Sequence, residues 1–332
     1  MSQKEWKDFL ATQGMASDGE HFGDLAGELT EARDGMVLVP LIDFAVIRVS
    51  GEDAAGFLHN LLSNDIKNLP PDGLRFAGLC TPKGRLLATF HIWRDGPDFL
   101  LALSADIMPA ILKTLSMYIF RSKVKLAEAD AVLLGLAGTA KTALGAAPEP
   151  LRSADVSGGQ VICLDGHRLL LALTPAAAML AWPTLAAKPA GVAAWRWLEI
   201  TAGQPRIVAA TQEAFVPQML NMEVPAVGGL SFTKGCYPGQ EIVARAQYLG
   251  KVKRRMYRAR LDAALPAGAN VFTSEPGDQP CGALVTVAPA PDGGHECLAV
   301  VQSSGAEAGT VFAGGPNLPP RLTFGALPYA VE

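Results

Sequence analysis

The pattern of apolar and polar positions divides most of the chain into short strands and a few amphipathic helices. The run "FAVIRVS" (44–50) predicts a strand, and the next segment has apolar residues three and four positions apart, which predicts an amphipathic helix. Three more apolar runs, a second helix at "ADIMPAILKTLSMYI" and a final strand at "SKVKLAEA" follow. The order β-α-β-β-(β)-α-β over 44–130 predicts a ferredoxin-like split βαβ module.

The segments on either side of this module predict further units. Residues 1–35 predict a short helix around 3–13 and then a mobile connector. After residue 130 we predict, in order, a strand at "AVLLGLAG", a helix to about 146, a β-hairpin around Asp165-Gly166, a helix from Pro175, a helix over 192–203, and an irregular segment over 206–232. Beyond residue 250, short strands separated by Gly, Pro and Asp turns predict a small antiparallel barrel or sandwich.

Composition narrows the class of protein. The chain has 332 residues, of which 49% are apolar and 18% charged, with a net charge of −4. This is a globular composition for two or three packed units, and the surface as a whole does not favour nucleic acid or membranes. The N-terminal residues lack a signal-peptide pattern, and the longest apolar run, 169–182, is interrupted by Thr174-Pro175. We expect a cytoplasmic monomer with no membrane segment.

The cysteines argue against a disulfide framework and against a zinc site. There are five, they lie far apart and none forms a CxxC pair; the five histidines do not cluster either. We therefore expect a reducing compartment and no metal site. The cysteines are Cys80, Cys163, Cys236, Cys281 and Cys297.

The stretch "TKGCYPGQEIVAR" (233–245) carries the strongest chemical signal. After a strand at "LSF" it predicts a loop and then a helix, with Pro238 at or just before the first helical position and Glu241 in the first turn. Cys236 then lies just before a helix N-terminus and two residues from Lys234, and both features stabilise a thiolate. The residues alone leave four roles open: a reactive thiol, a buried small hydrophobe, a nucleophile with a base such as His59 or His91, or part of an anion site.

A second candidate is the segment "KVKRRMYRAR" (251–260), which places six cations in ten residues. It is either a solvated strand or a strip for a polyanion such as RNA or a polyglutamate tail.

The stretch "SFTKGCYPGQEIVAR" resembles the K-G-C-Y-x-G-Q-E signature of the YgfZ family, whose members are related to the T-protein, the aminomethyltransferase of the glycine cleavage system. The resemblance extends to "AGQPRI", "VPQMLNME", "CTPKGRLLATFHIWRDG" and "YIFRSKVKLAEAD". It implies an α+β, T-protein-like three-domain ring. Its parts would be a folate-binding α+β domain (1–43 with 131–249), an inserted ferredoxin-like domain (44–130) and a C-terminal antiparallel β-barrel (250–332).

The resemblance also implies a function. A central cavity would bind tetrahydrofolate, and the protein would act in the assembly or repair of iron–sulfur clusters, with consequences for tRNA-thiolating iron–sulfur enzymes. Its partners would be folate and iron–sulfur assembly factors or client enzymes, with a weak tRNA contact through 251–260. Cys236 would be the functional thiol with Lys234 beside it. The folate-binding positions would be Gly235, Tyr237, Gly239, Gln240, Glu241, Arg245, Ser104 and Thr201.

The sequence departs from the T-protein where that enzyme has its catalytic acid. The strand after Gly84 reads Arg-Leu-Leu-Ala, so Leu87 and Ala88 stand where a carboxylate is expected. Thr201 stands where a glutamate is expected, and Glu199 lies two residues earlier. Because aminomethyl transfer needs a group that orients or protonates the departing amine, we expect this chemistry to be lost. The alternative is a folate-dependent one-carbon transferase, and a weaker one is an RNA-binding module.

Overall fold

The computed structural model describes residues 3–138, 147–248, 252–273, 279–315 and 318–331. The chain forms two compact units, one of residues 1–57, 66–75 and 90–195, the other of residues 58–65, 76–89 and 196–332. The helix predicted to reach about residue 146 and Lys251 of the basic segment lie outside the described residues.

The helices are short. They are α1 (Gln3–Thr12), α2 (Leu25–Asp34), α3 (Ala54–Leu61), α4 (Met108–Met117), α5 (Pro175–Ala181), α6 (Val192–Thr201), α7 (Gln240–Tyr248) and α8 (Ser303–Ala308). In the part of the chain that the structure describes, no helix has the length and apolar character needed to cross a bilayer.

The strands belong to three sheets. They are β1 (Met36–Pro40), β2 (Phe44–Ser50), β3 (Leu74–Cys80), β4 (Leu86–Asp95), β5 (Asp98–Ser104), β6 (Lys125–Glu128), β7 (Val132–Gly138), β8 (Ser153–Val156), β9 (Gly159–Cys163), β10 (Arg168–Leu173), β11 (Lys188–Pro189), β12 (Arg254–Leu261), β13 (Asn270–Thr273), β14 (Gly282–Pro289), β15 (His295–Gln302), β16 (Val311–Phe312) and β17 (Thr323–Gly325).

The first sheet lies in the first unit and has the order β11-β1-β7-β10-β9-β8. Leucines from β1, β7 and β10 form the core of this sheet together with Trp6 of α1 and Trp182, which directly follows α5. Trp6 and Trp182 meet edge to face, with ring centroids 6.0 Å apart. The hairpin predicted around Asp165-Gly166 is confirmed as β9 and β10.

The second sheet has the order β3-β4-β5-β2-β6, and the chain crosses between the two units within β3 and β4. The order predicted over 44–130 is confirmed, since the elements follow one another as β2, α3, β3, β4, β5, α4 and β6. Strand β2 pairs antiparallel with both β5 and β6, so it lies between the middle strand and an edge strand of the sheet.

The third sheet, in the second unit, confirms the short antiparallel strands predicted beyond residue 250. Its order is β16-β13-β14-β15-β12-β17, and its core is formed by small and branched apolar side chains such as Ala259, Val271, Leu284 and Val301. The α+β fold class is therefore established, while the three domain boundaries drawn from the sequence stay a prediction.

Two local expectations were wrong. The mobile connector before residue 36 contains α2, which begins because the Asp24 side chain accepts a hydrogen bond from the Gly27 N–H at 3.0 Å. The short strand at 229–232 is irregular, since its polar groups bond the 63–64 loop instead. Ser231 N–H donates to the Ser63 carbonyl at 3.0 Å, and the Ser63 hydroxyl donates to the Gly229 carbonyl at 2.7 Å.

Candidate functional site

Cys236 is set apart from the other cysteines by its exposure. Cys80, Cys163, Cys281 and Cys297 are buried, whereas Cys236 is exposed. Burial raises the pKa of Cys80 and of Cys297 to about 12, so both stay protonated near neutral pH. The interpretation of Cys236 as a buried small hydrophobe is therefore wrong, while the other four cysteines fit it.

Lys234, two residues before the thiol, is buried rather than exposed beside it. Its side-chain Nζ donates a hydrogen bond of 2.9 Å to the carbonyl of Leu62, just beyond the end of α3, and lies 4.5 Å from the centre of the Tyr237 ring. Burial lowers the pKa of Lys234 to about 8, and the negative charges of Asp65 and Cys236 oppose that shift. Lys234 thus anchors the loop and contributes positive charge from beneath it.

The loop 233–239, called the thiol loop below, is held in one conformation by the contacts of Tyr237 and Gly239. Gly239 has φ +80°, and a β-carbon there would lie 2.5 Å from the Thr81 carbonyl oxygen and 2.7 Å from the Gly84 α-carbon. Only glycine allows so close an approach in this left-handed conformation. Tyr237 is buried, and its N–H donates to Oε1 of Gln240 at 3.3 Å, where α7 begins. The turn between β3 and β4 therefore supports the thiol loop directly.

His59, one of the two histidines considered as a base, lies beside the thiol loop. Its Nδ1 is 3.1 Å from Oδ1 of Asp65, and its Nε2 would be 3.9 Å from a β-carbon placed on Gly235. His91 is in β4 and belongs to the first unit. An imidazole held by a carboxylate can act as a base toward a thiol that comes within hydrogen-bond reach of it. Sequence reasoning missed Asp65, because no regular spacing connects it to the loop.

The remaining loop and helix positions lie on the surface. Glu241 and Arg245 are exposed on α7, one helical turn apart. Ile242 of the same helix lies against Gly84, where a β-carbon would be 3.1 Å from its Cβ, yet it keeps 42% of its side chain exposed. Phe232 and Tyr248 meet edge to face with ring centroids 5.9 Å apart. Partly exposed apolar side chains therefore lie on α7, at Ile242 and Tyr248, and just before the thiol loop, at Phe232.

The residues directly after Gly84, up to Ala88, include no acid. Ala88 is fully buried, and the carbonyl of Leu87 accepts a hydrogen bond of 2.9 Å from Gln212 Nε2. Thr201 donates its hydroxyl to the Leu198 carbonyl at 3.0 Å within α6. Ser104 belongs to the first unit, where it ends β5 as a buried residue. The folate-binding roles of Ser104 and Thr201 stay predictions.

Glu199 is engaged in a buried ion pair. Its Oε2 lies 3.2 Å from Nη2 of Arg206, and both side chains are less than a tenth exposed. A carboxylate held in this way is largely committed to its partner, because separating two buried charges is costly. Glu199 is thus a structural acid two residues before the position where the resemblance predicts a glutamate.

A group of buried polar side chains, called the polar cluster below, lies in the second unit. Among the described residues, Gln218 Oε1, Asn221 Oδ1 and Glu223 Oε2 are buried oxygens that have no hydrogen-bond partner. The Tyr329 hydroxyl donates to the Gly203 carbonyl at 2.7 Å. Burial raises the pKa of Tyr329 to about 12; a hydrogen bond with Asn221 lowers this pKa and the charge of Glu223 raises it. Unsatisfied buried acceptors of this kind suit a ligand that brings N–H donors.

Arginines of the basic segment are bonded within the protein. Arg258 pairs with Glu296 at 2.6 Å, and Arg255 pairs with Glu223 and donates to the Gln218 carbonyl at 3.2 Å. Arg254 and Arg260 donate to the carbonyls of Pro280 and Gly293. Each of these four guanidinium groups therefore already has at least one acceptor within the protein.

Comparison with known proteins assigns the family. No protein-family model matches the chain. A protein of Edwardsiella ictaluri named tRNA-modifying protein YgfZ is 32% identical over 319 residues, which cover 90% of this chain and 93% of that relative. The chain belongs to the YgfZ family. The protein of the same name from Serratia proteamaculans is 34% identical over 233 residues, covering 67% of this chain and 70% of the relative.

A solved structure agrees with the fold of this YgfZ-family protein. The glycine cleavage system aminomethyltransferase T from Bartonella henselae superposes with a TM-score of 0.72 over 92% of this chain and 91% of that one, at 18% identity. At this identity the likeness concerns the fold, and the T-protein-like architecture predicted from the sequence is confirmed.

Proposed function

We propose that this YgfZ-family protein is a tetrahydrofolate-binding accessory factor for the assembly or repair of iron–sulfur clusters, with Cys236 as its functional thiol. In this role it supports tRNA-modifying iron–sulfur enzymes indirectly, as a cytoplasmic monomer that meets assembly factors or client enzymes. The observation that carries the proposal is the single exposed thiol among five cysteines, held on a locked loop before α7.

In this proposal Cys236 provides a single thiolate ligand to its substrate. Clusters are normally held by four protein thiolates, so Cys236 would share any cluster, iron ion or sulfur species with groups of a partner protein. Because Lys234 is anchored below the loop by its bond to Leu62, it leaves the sulfur of Cys236 uncovered. The exposed apolar residues of α7 would contact a partner protein that approaches the thiol.

The polar cluster supports the folate part of the proposal. The oxygens of Gln218, Asn221 and Glu223 would accept hydrogen bonds from the amino and ring N–H groups of a pterin. When bound, tetrahydrofolate supplies reduced pterin nitrogens that carry one-carbon units. The folate positions implied by the family resemblance, from Gly235 to Arg245 together with Ser104 and Thr201, belong to the same proposal.

One-carbon transfer is the less favoured alternative. Leu87 and Ala88 offer no carboxylate, and Glu199 is bound to Arg206. Turnover of methylene-tetrahydrofolate by the purified protein with candidate amines would support a transferase instead.

Complementation tests the thiol. In a strain lacking the gene, we expect Cys236→Ala to leave the activity of iron–sulfur enzymes as low as in the deletion, and Cys281→Ala, a buried cysteine, to restore it. Full rescue by Cys236→Ala would contradict the thiol role.

Isothermal titration with reduced folates tests the ligand separately. We expect wild type and Cys236→Ala to bind alike and Glu223→Gln to bind at least about tenfold more weakly, since a hydrogen bond to a charged group contributes about 1.5–3 kcal/mol. Unfolding midpoints of the three proteins control for damage to the fold. If wild type gives no binding heat at any temperature tried, the folate part is wrong while the thiol part still stands.

A further inference from the structure

The turn that joins α4 to β6 in the first unit exposes aromatic and cationic side chains together. Phe120 is 87% exposed, Met117 61% and Tyr118 37%, which is unusual for large apolar side chains. Residues 113–125, called the aromatic–basic turn below, contain no acidic residue. Their cations, all exposed, are Lys113, Arg121, Lys123 and Lys125.

The aromatic–basic turn is held in place by hydrogen bonds from both of its sides. The Lys123 N–H donates to Asp53 Oδ2 at 2.7 Å, and the Ser122 N–H donates to the Ile119 carbonyl at 2.8 Å. Phe120 has φ +44°, an uncommon conformation for a bulky residue. The hydrogen-bonded turn therefore holds the Phe120 ring in water. Both the exposure of the ring and the backbone conformation are unfavourable, and the ring makes too little contact with the protein to offset them.

The charge of the turn contrasts with that of the whole protein. The chain carries a net charge of −4, yet this segment of thirteen residues has four cations. Glu52 pairs with Lys123 at 2.6 Å, and the Asp53 carboxylate accepts the Lys123 N–H, so the four cations exceed these two carboxylates and the turn keeps a net positive charge. The arginines of β12, in contrast, donate to acceptors of the protein itself. A polyanion is the complement of such a turn.

We infer that the aromatic–basic turn binds single-stranded or looped RNA. Unpaired bases stack on exposed aromatic rings, and neighbouring cations contact the phosphates; this combination recurs in proteins that bind RNA single strands. Phe120 directly precedes Arg121 in sequence, Tyr118 lies two residues before Phe120, and Lys123 and Lys125 follow at every second position. Interfaces with other proteins, by comparison, centre on a contiguous apolar patch, whereas here aromatic side chains are mixed with cations. This RNA site goes beyond the thiol chemistry proposed above and does not depend on it.

Fluorescence anisotropy with a labelled oligoadenylate tests the site on the full chain. We expect Phe120→Ala to weaken binding about tenfold, because stacking one base on an aromatic ring contributes about 1–3 kcal/mol. We expect Arg121→Gln with Lys125→Gln to flatten the slope of log K against log salt by about 1.4, since each phosphate contact on a single strand contributes about 0.7.

Two control variants show whether a change in RNA affinity is specific to this turn or follows from losing any exposed apolar side chain or any pair of cations. Leu180→Ala removes another apolar side chain, 76% exposed on α5, and Arg258→Gln with Arg260→Gln removes two cations of β12. We expect neither to change RNA affinity more than about twofold. If wild type does not bind the oligoadenylate, or Phe120→Ala binds as wild type does, the inference is overturned. If a polyglutamate peptide competes as well as RNA of equal charge, the surface fits an acidic protein instead, and the inference is equally overturned.

Discussion

The ammonium group of Lys234 donates a hydrogen bond to the carbonyl oxygen of Leu62 across a separation of 172 residues in sequence. This bond joins the thiol loop to the residues that follow α3. Since both groups are buried, neither has water as a ready substitute.

Replacing Lys234 with methionine should loosen the thiol loop. Lys234→Met keeps most of the apolar stem but leaves the Leu62 carbonyl without its charged donor. At about pH 10, where the penalty for burying the lysine charge has largely disappeared, we expect the free energy of unfolding to fall by about 1–3 kcal/mol in urea denaturation. The control is Lys83→Met, an exposed lysine on the turn between β3 and β4, which should change stability by less than about 0.5 kcal/mol. Equal stability of the two variants would show that the Leu62 bond contributes nothing.

The pH dependence of stability should report the same lysine. The pKa of Lys234 is lowered from its ordinary value of 10.5 to about 8 by burial. Between these two values the unfolded chain binds more protons than the folded one, so the free energy of unfolding rises with pH. The penalty for burying the charge is fully present below about pH 8 and disappears toward pH 10.5. Wild type should therefore gain stability relative to Lys234→Met between pH 8 and 10; a constant difference would contradict the lowered pKa.

Two glycines of the thiol loop should respond differently to alanine. At Gly239 a β-carbon would meet backbone atoms at 2.5 and 2.7 Å with φ at +80°, whereas at Gly235 the nearest atom is 3.9 Å away. Strain of this kind costs about 1–3 kcal/mol. We expect Gly239→Ala to lower the urea midpoint and Gly235→Ala to leave it nearly unchanged. Similar midpoints for both would mean that the two turns are not locked together.

Thiol labelling should single out Cys236. In native protein we expect one thiol to react rapidly with a disulfide reagent and four to react only on unfolding, because the latter are buried. Cys236→Ala should abolish the rapid phase, and Cys281→Ala should leave it intact. Two rapid thiols in wild type would show that a second cysteine is accessible.

The buried pair of Glu199 and Arg206 should matter far more for stability than an exposed one. Arg206→Met leaves an uncompensated buried carboxylate, which costs about 3–5 kcal/mol. Arg152 and Asp72 form an exposed pair at 2.8 Å, so Arg152→Met should cost less than about 1 kcal/mol. Urea unfolding of both variants makes the comparison. A cost below about 1 kcal/mol for Arg206→Met would mean that water reaches the pair.

Much of the architecture follows from local sequence patterns. The order of elements over 44–130 and the short antiparallel strands beyond residue 250 could be predicted, because periodicity and turn residues act over a few positions. The connector that turned out to contain α2 was missed because its helix depends on capping by Asp24 more than on an apolar stripe. The irregular segment 229–232 was mistaken for a strand because its partner is a loop.

The sequence by itself determined the family, the fold class and the choice of Cys236, since the signature around that residue is local and specific. Only the tertiary structure decided that Lys234 is buried under the loop, that His59 and Asp65 lie beside it, and that the arginines of β12 are bonded within the protein. These contacts join residues that are distant in sequence. Their burial and charge depend on how the whole chain packs, and no local pattern of apolar and polar residues specifies that.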